Sequence, residues 1–200
     1  KEIWKKGLLV QDHRVAPYCP RCGTGLSDHE LAQGYETVTD PSVYVRFPIT
    51  SGELVALNAS FLVWTTTPWT LVSNTAIAVH PEVDYVAVEV TVDEVSEVLV
   101  VAEALLESVK GEKKILKKMP GKSLERTTYK RPFDFVEIAD AHYVVLATYV
   151  TTEDGTGLVH QSPAFGADDL AVCRAYGLPV VNPIAPDGHF LKEVEVVGGI

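Results

Sequence analysis

Short apolar and β-branched runs, separated by turn sequences, dominate the chain from residue 41 onward. Alternating or continuous apolar runs of roughly four to eight residues predict strands, because successive strand side chains point to opposite faces of a sheet. The predicted strands are residues 43–49, 54–64, 75–79, 85–92, 98–101, 142–150, 158–160 and 180–184. Many short strands with few helical periods predict a mainly β domain of the α+β class, closed like a β-barrel rather than doubly wound.

Helical spacing is confined to a few short segments. Residues 102–109 and 166–176 each place apolar side chains on one face, and Gly177 stands where a helix would stop. A further short helix is expected at Pro68, since proline suits a first helical position and Thr67 can cap it.

Residues 1–40 are rich in proline and glycine, which predicts a turn-rich knuckle ahead of a main domain at residues 41–200. Within it, Cys19 and Cys22 form a C-x-x-C pair, the spacing of one half of a tetrahedral zinc site. Cys173 is too isolated to complete that site. Either the other ligands lie outside this chain or the cysteines are structural, and the first interpretation is favoured.

Composition places the chain among ordinary globular proteins. It is 46% hydrophobic and 22% charged, which argues against a disordered, collagen-like or coiled-coil chain. No apolar run approaches the roughly 20 residues that span a bilayer, and residues 1–6 lack the apolar core of a signal peptide. The expectation is therefore a soluble, cytoplasmic protein without membrane contact.

Charge is distributed unevenly along the chain. The formal net charge is −10, yet residues 110–131, the basic segment, hold nine lysines and arginines against two glutamates. A basic cluster of this kind can contact one phosphate backbone, or it can be a solvated surface. The sequence leaves both interpretations open.

Two segments concentrate polar groups at strand ends. The first is W-T-T-T-P-W-T-L at residues 64–71, followed by Asn74. The second is G-T-G-L-V-H at residues 155–160, followed by Asp168 and Asp169 in the first turn of a predicted helix. Taken singly, each has a structural explanation, as helix capping, as compensation of a helix dipole, or as a satisfied core histidine.

Together, and with P-Y-C-P-R-C-G-T at residues 17–24, these segments resemble the editing (CP1) domain inserted into class I aminoacyl-tRNA synthetases of the isoleucyl, valyl and leucyl group. The resemblance covers essentially the whole chain and is most specific for the isoleucyl type, because valyl and leucyl relatives usually carry another residue at the position of His160. The synthetase signatures H-I-G-H and K-M-S-K-S are absent. The chain alone is therefore not expected to aminoacylate tRNA.

The resemblance implies hydrolytic proofreading by attack of water on the aminoacyl ester. The implied substrate is valyl-tRNA(Ile), with valyl-adenylate as a second candidate, and isoleucine is excluded by its size. Asp169 would bind the ammonium group, and His160 would be the wall that isoleucine strikes. Thr65, Thr66, Thr67 and Asn74 would contact the ester and the terminal adenosine and help to place the water. Trp64 would pack beside the substrate or belong to the core, and Asp168 is a weaker candidate for substrate binding.

The resemblance also implies partners and cofactors. Editing needs no cofactor, although zinc could bind Cys19 and Cys22 in a longer parent protein. The implied partners are the 3′ end of tRNA(Ile) carrying valine and the rest of the parent synthetase. Two alternatives stay open, a non-catalytic tRNA-binding module and the editing domain of a valyl-type synthetase.

Overall fold

The computed structural model describes residues 1–200 and contains ten strands in three sheets. A hairpin is formed by β1 (Tyr18–Cys19) and β2 (Thr24–Gly25). The five-stranded sheet has the order β3-β4-β7-β6-β8, with β4 and β7 parallel and the other neighbours antiparallel. Its strands are β3 (Val43–Pro48), β4 (Ala59–Thr65), β6 (Asp84–Val92), β7 (Val95–Ala102) and β8 (Glu112–Pro120).

A three-stranded sheet has the order β10-β5-β9. It comprises β5 (Ala76–Val79), β9 (Tyr143–Leu146) and β10 (Leu158–Gln161), with β5 parallel to β9 and antiparallel to β10. Strand β10 lies against β4, so that the two sheets meet along this line.

Helices are short and lie outside the sheets. The α-helices are α1 (Glu2–Lys5), α2 (Asp28–Ala32) and α3 (Ala167–Ala175). The 3₁₀ helices are Glu53–Leu57, Pro68–Ser73, Glu103–Ser108 and Gly121–Leu124. Helix α3 ends before Gly177, whose φ of +71° is left-handed and therefore suits a glycine after a helix.

Three apolar clusters hold the fold together. The largest lies between the sheets and includes Phe47, Phe61 and Ile77. A second covers the outer face of the five-stranded sheet, where Leu106 packs from the 3₁₀ helix Glu103–Ser108. The third lies between the outer face of the three-stranded sheet and α3. Apolar side chains on both faces explain why several strands are continuous rather than alternating apolar runs.

The prediction of a mainly β fold with few helices is confirmed. The hydrogen-bonded pairing gives separate sheets and records no closed ring of strands. The predicted strand 54–64 is divided at Asn58, whose φ of +51° separates a 3₁₀ helix from β4.

The structure differs from the sequence predictions of secondary structure in three places. The helix predicted at residues 102–109 is the 3₁₀ helix Glu103–Ser108, and residues 180–184 form no strand beyond an isolated bridge at Ile184. The basic segment contains the unpredicted strand β8, a lysine-rich edge strand whose sequence has no apolar alternation. Exposed edge strands tolerate lysine because one side of the strand faces water.

Residues 1–40 contain no buried side chain, so they contribute nothing to the three apolar clusters. Within them, Ser27 and Glu30 form a capping box that starts α2. The domain boundary near residue 40 stays a prediction. None of the helices has the length and apolar character needed to cross a lipid bilayer.

Candidate functional site

A small cavity of about 250 Å³ opens where β4 and β10 end. The 3₁₀ helix Pro68–Ser73 closes one side, and the N-terminus of α3 closes another. Both sequence segments that carry polar groups at strand ends therefore contribute to one site. The cavity is lined by Trp64, Thr65, Thr67, Thr70, Val159, His160, Ser162, Phe165, Gly166 and Asp169.

Threonine hydroxyls form one wall of the cavity. The Thr67 backbone N–H donates to Thr65 Oγ1 at 3.1 Å, and the Thr70 hydroxyl donates to the Thr67 carbonyl oxygen at 2.8 Å. These bonds turn the chain from β4 into the 3₁₀ helix, a local role common for threonine. Thr67 is the residue before that helix but makes no side-chain cap, contrary to the sequence expectation.

His160 forms the deep side of the cavity and is only 8% exposed. Both ring nitrogens have partners, Nδ1 with Asn74 Nδ2 at 3.0 Å and Nε2 with Thr70 Oγ1 at 2.7 Å. Burial lowers the pKa of His160 to about 4, so the ring is neutral near pH 7. Its Nδ1 lone pair accepts from the amide nitrogen of Asn74, which can only donate, so no free base nitrogen faces the cavity.

Asp169 is the only carboxylate that lines the cavity. It stands in the first turn of α3, and its Oδ2 accepts the Ser162 backbone N–H at 2.8 Å. Burial raises the pKa of Asp169 and the charge of Asp168 adds to the rise, whereas the Ser162 hydrogen bond opposes it. A cation placed in the cavity would offset the burial and hold this carboxylate ionised.

Two glycines make room for these side chains. A Cβ at Gly166 would lie 2.8 Å from Asp169 Cγ, so only glycine leaves the carboxylate in place. A Cβ at Gly155 would lie 3.0 Å from Trp64 Cε3, and its φ of +75° is left-handed. The G-T-G turn therefore covers Trp64 closely, while the tryptophan ring also lines the cavity.

A larger apolar groove of about 510 Å³ lies beside the cavity and shares Phe165 with it. Trp69 packs edge-on against Phe165 there, with ring centroids 4.8 Å apart. The groove lining includes no carboxylate, imidazole or aliphatic hydroxyl. Chemistry that needs polar groups therefore belongs to the smaller cavity.

Sequence relatives identify the family of this chain. The chain is 67% identical to the isoleucine–tRNA ligase of Streptomyces coelicolor, over 100% of this chain and 19% of that protein. It belongs to the isoleucine–tRNA ligase family. The family member of Thermus thermophilus is 50% identical over 96% of this chain and 18% of its own length. The chain thus spans about a fifth of the length of the curated relatives it matches. No protein-family model matches it.

Solved structures share the fold of this isoleucine–tRNA ligase segment. A leucyl-tRNA synthetase CP1 structure has a TM-score of 0.53 at 20% identity, over 70% of this chain and 66% of that chain. The editing domain of the P. knowlesi cytosolic leucyl-tRNA synthetase also has a TM-score of 0.53, at 16% identity, over 67% and 62%. At these identities the likeness is one of fold.

The structure separates the family-implied site residues into two groups. The cavity brings together Trp64, Thr65, Thr67, His160 and Asp169. The residues that do not line it are Thr66, Asn74 and Asp168.

Each residue outside the cavity has its own place. Thr66 and Asp168 are exposed at the surface, whereas Asn74 is fully buried behind His160. The Asn74 amide therefore has no exposed surface through which it could contact a substrate in this structure.

Sequence reasoning missed several lining residues. Thr70 and Val159 lie within the two quoted segments, and Ser162, Phe165 and Gly166 lie between His160 and Asp168. Their positions within or next to these segments were the available signal. What could not be read from the sequence is the hydrogen bond from the Ser162 backbone, since it depends on how α3 packs.

The cysteine pair lies at the β1–β2 hairpin of the family segment. The Cys22 N–H donates to Cys19 Sγ at 3.4 Å, and this bond lowers the pKa of the Cys19 thiol. Two adjacent thiols fit half of a tetrahedral zinc site. Residues 1–200 contain no group of three His, Cys, Asp or Glu side chains that could hold a metal, so zinc binding stays a prediction.

Lysines of the basic segment are paired with carboxylates. Ion pairs join Lys113 to Glu107, Lys114 to Glu89, Lys117 to Glu53, and Lys118 to both Asp84 and Glu103. Exposed pairs of this kind add little stability, but they neutralise the local charge. The structure therefore favours the solvated-surface interpretation of β8 over a strong phosphate-binding surface.

Proposed function

We propose that this chain is a hydrolytic proofreading domain that cleaves the ester of valyl-tRNA(Ile) and excludes isoleucine by size. The observation that carries the proposal is the small cavity and two of the groups that line it. One is the neutral imidazole of His160, hydrogen-bonded at both ring nitrogens, and the other is the single, half-buried carboxylate of Asp169. Membership of the isoleucine–tRNA ligase family supports the choice of substrate.

Selection by size in a second site compensates for the small difference in binding free energy between isoleucine and valine. One methylene changes binding by only about 1–3 kcal/mol, and isoleucine against valine is the standard example of that limit. A second site that admits only the smaller amino acid can hydrolyse the valyl product that an aminoacylation site forms in error. The wall in that site needs bulk and a fixed position, which His160 has because both of its ring nitrogens are bonded.

Orientation of the substrate is assigned to Asp169. The α-ammonium group of an aminoacyl ester is a compact cation, and a partly buried carboxylate beside it forms a strong charge-assisted hydrogen bond. This contact would fix the carbonyl carbon relative to the cavity wall. Ester cleavage gains most of its rate from such positioning when no covalent nucleophile is available.

Water is the proposed nucleophile. It attacks the carbonyl carbon, the ester C–O bond breaks, and the proton reaches the ribose oxygen that leaves, so the products are free valine and tRNA. The Thr70 hydroxyl already donates to the Thr67 carbonyl oxygen, so it is not a free nucleophile. His160 has no free nitrogen that could act as a base on this hydroxyl or on the water. Thr65 and Thr67 supply hydroxyls that can hold the attacking water.

The partners follow from the same proposal. They are the 3′ end of tRNA(Ile) carrying valine and the remainder of the synthetase in which this segment occurs. Editing requires no cofactor under this proposal. Zinc at Cys19 and Cys22 would need two further ligands from outside residues 1–200.

Deacylation of two esters by wild type and His160→Ala tests the proposal. Wild type is expected to hydrolyse valyl-tRNA(Ile) and to spare isoleucyl-tRNA(Ile). His160→Ala removes the wall, so isoleucyl-tRNA(Ile) becomes a substrate while valyl hydrolysis falls by less than about tenfold, far below the loss of a general base. The matched control is His13→Ala at an exposed histidine, which should leave both rates unchanged.

Other outcomes identify the alternatives. A variant inactive on both esters contradicts the steric role of His160. Wild type that binds tRNA without hydrolysing either ester indicates a non-catalytic tRNA-binding module. Preference for a threonyl ester over the valyl ester would indicate a valyl-type editing domain.

A further inference from the structure

Tyr129 lies in the core with its hydroxyl pointing toward the candidate site. It is 4% exposed, and its ring packs edge-on against Phe47 and Phe61, with centroids 5.3 Å and 6.3 Å away. Its hydroxyl donates to Asn74 Oδ1 at 2.7 Å. Burial raises the pKa of Tyr129, so the phenol remains a protonated donor.

Asn74 connects that hydroxyl to His160. Its Nδ2 donates to the Ala76 carbonyl oxygen at 2.9 Å and lies 3.0 Å from His160 Nδ1. A backbone carbonyl can only accept, so the amide nitrogen must face Ala76 and the amide oxygen must face Tyr129. Two groups of the core therefore fix the orientation of one buried amide.

The orientation of the amide determines the tautomer of His160. Because Asn74 Nδ2 donates, His160 Nδ1 accepts and the ring proton sits on Nε2, from which it is donated to Thr70 Oγ1 at 2.7 Å. The Thr70 hydroxyl in turn donates a hydrogen bond to the Thr67 carbonyl oxygen. Donation thus runs in one direction from the core to the cavity wall, with every member satisfied.

We propose that Tyr129 is a positioning residue for amino-acid selection, acting through Asn74 to hold His160 in one tautomer and one ring orientation. The proposal rests on the proposed function of His160 as a size-excluding wall. A wall that discriminates one methylene must be held to a fraction of an ångström. Loss of the Tyr129 hydroxyl leaves Asn74 Oδ1 without a partner, and only Ala76 then resists rotation of the amide.

The test is Tyr129→Phe, which removes one oxygen and keeps the ring contacts with Phe47 and Phe61. The ratio of valyl to isoleucyl ester hydrolysis should fall about five- to tenfold, the effect of one buried unsatisfied acceptor. Valyl hydrolysis itself should change little. The matched control is Tyr85→Phe, since Tyr85 is also fully buried but its hydroxyl donates to the Gly157 carbonyl oxygen.

A spectroscopic measurement separates positioning from a general loss of stability. Nitrogen-15 spectra of histidine-labelled protein should show the Nε2–H tautomer of His160 in wild type and in Tyr85→Phe. Tyr129→Phe should show exchange between tautomers. Asn74→Asp, which offers only acceptor oxygens at this position, should move the proton onto Nδ1.

The outcomes distinguish this inference from the function on which it rests. Unchanged selectivity and an unchanged Nε2–H spectrum in Tyr129→Phe overturn the inference and leave the proposed function intact. If Tyr129→Phe does not fold, the wild-type spectrum decides, because an Nδ1–H tautomer there overturns the inference. Failure of wild type to hydrolyse valyl-tRNA(Ile) instead overturns the proposed function, while the tautomer result stands separately.

Discussion

Single residues in this site acquire their chemistry from neighbours that are distant in the sequence. His160 is neutral because it is buried, and it has no free base nitrogen because Asn74 and Thr70, 86 and 90 positions away, are hydrogen-bonded to its two ring nitrogens. Asp169 keeps a raised pKa because burial, together with the charge of Asp168, outweighs the backbone hydrogen bonds to its carboxylate. At this scale the consequences can be tested by changing one functional group at a time.

Replacement of Asp169 by asparagine should abolish hydrolysis and preserve the fold. An amide oxygen can still accept the Ser162 N–H, so stability should change by no more than about 1 kcal/mol. Loss of the charge removes the ammonium partner, and valyl ester hydrolysis should fall at least about 100-fold, as expected when a substrate is misplaced.

Asp168→Asn is the matched control for that prediction, since Asp168 is exposed in the same helical turn. Deacylation kinetics and urea unfolding measure both effects for the two variants. Near wild-type hydrolysis by Asp169→Asn would reject the ammonium assignment.

His160 should make the stability of the protein depend on pH. Its pKa falls from 6.5 to about 4 on folding, so the stabilisation of the neutral ring is present above pH 6.5 and is lost as the pH falls toward 4. Between about pH 7.5 and about pH 4.5 this loss is on the order of 2–3 kcal/mol. Urea unfolding at the two pH values should therefore show a smaller loss of unfolding free energy for His160→Gln than for wild type.

Other groups do not obscure this difference. The raised pKa of Asp169 acts in the opposite sense, but it is present in both proteins and cancels when they are compared. His13→Gln, at an exposed position, should behave like wild type. Equal losses for wild type and His160→Gln would show that His160 is not held neutral by the fold.

Among the elements, the start of α3 sets the position of the carboxylate. Gly166 precedes the helix with an extended φ of −129°, which any residue can adopt, so the backbone does not require glycine there. The requirement comes from the side chain of Asp169, only 2.8 Å from the place of a Cβ. A substitution at Gly166 therefore affects the site rather than the helix.

Gly166→Ala should reduce valyl ester hydrolysis by about tenfold or more with little loss of stability, because the methyl group displaces the Asp169 carboxylate. Gly177→Ala is the reverse case. Its Cβ would meet nothing within 4 Å, but its φ of +71° makes alanine cost about 1 kcal/mol or more. Gly166→Ala should therefore lower the deacylation rate but not the unfolding temperature, and Gly177→Ala should lower the unfolding temperature but not the deacylation rate. Equal changes in both variants would contradict this assignment.

Over the whole molecule, charge pairing limits binding to nucleic acid. The net charge is −10, and four lysines of β8 already have carboxylate partners. Under the proposed function, we therefore expect tRNA to be recognised mainly through its aminoacylated end rather than through a broad basic surface.

The affinity for generic RNA should therefore be weak and only slightly dependent on salt. Each phosphate neutralised adds roughly 0.7–0.9 to the slope of log affinity against log salt, and we expect a slope below about 2. Fluorescence anisotropy with labelled RNA at several salt concentrations measures it. A slope near 4, reduced when Lys113, Lys114, Lys117 and Lys118 are replaced by glutamine, would support the tRNA-binding alternative.

The sequence by itself determined the fold class, the helix at residues 167–175 and the two segments that form the site. Periodicity and turn residues are local properties, so strands such as β6 and β10 could be read directly. Edge strand β8 could not, because its side chains are mostly exposed and lack the apolar alternation of a half-buried strand.

Only the tertiary structure decided how the site residues divide. Asn74 and His160 were both polar residues near strand ends, and the sequence offered no reason to place one behind the other. Their roles separate because β5 and β10 pair in a register that buries the amide and leaves the imidazole at the cavity. Burial and hydrogen-bond direction arise from packing between segments far apart in the chain, so they cannot be read from either segment alone.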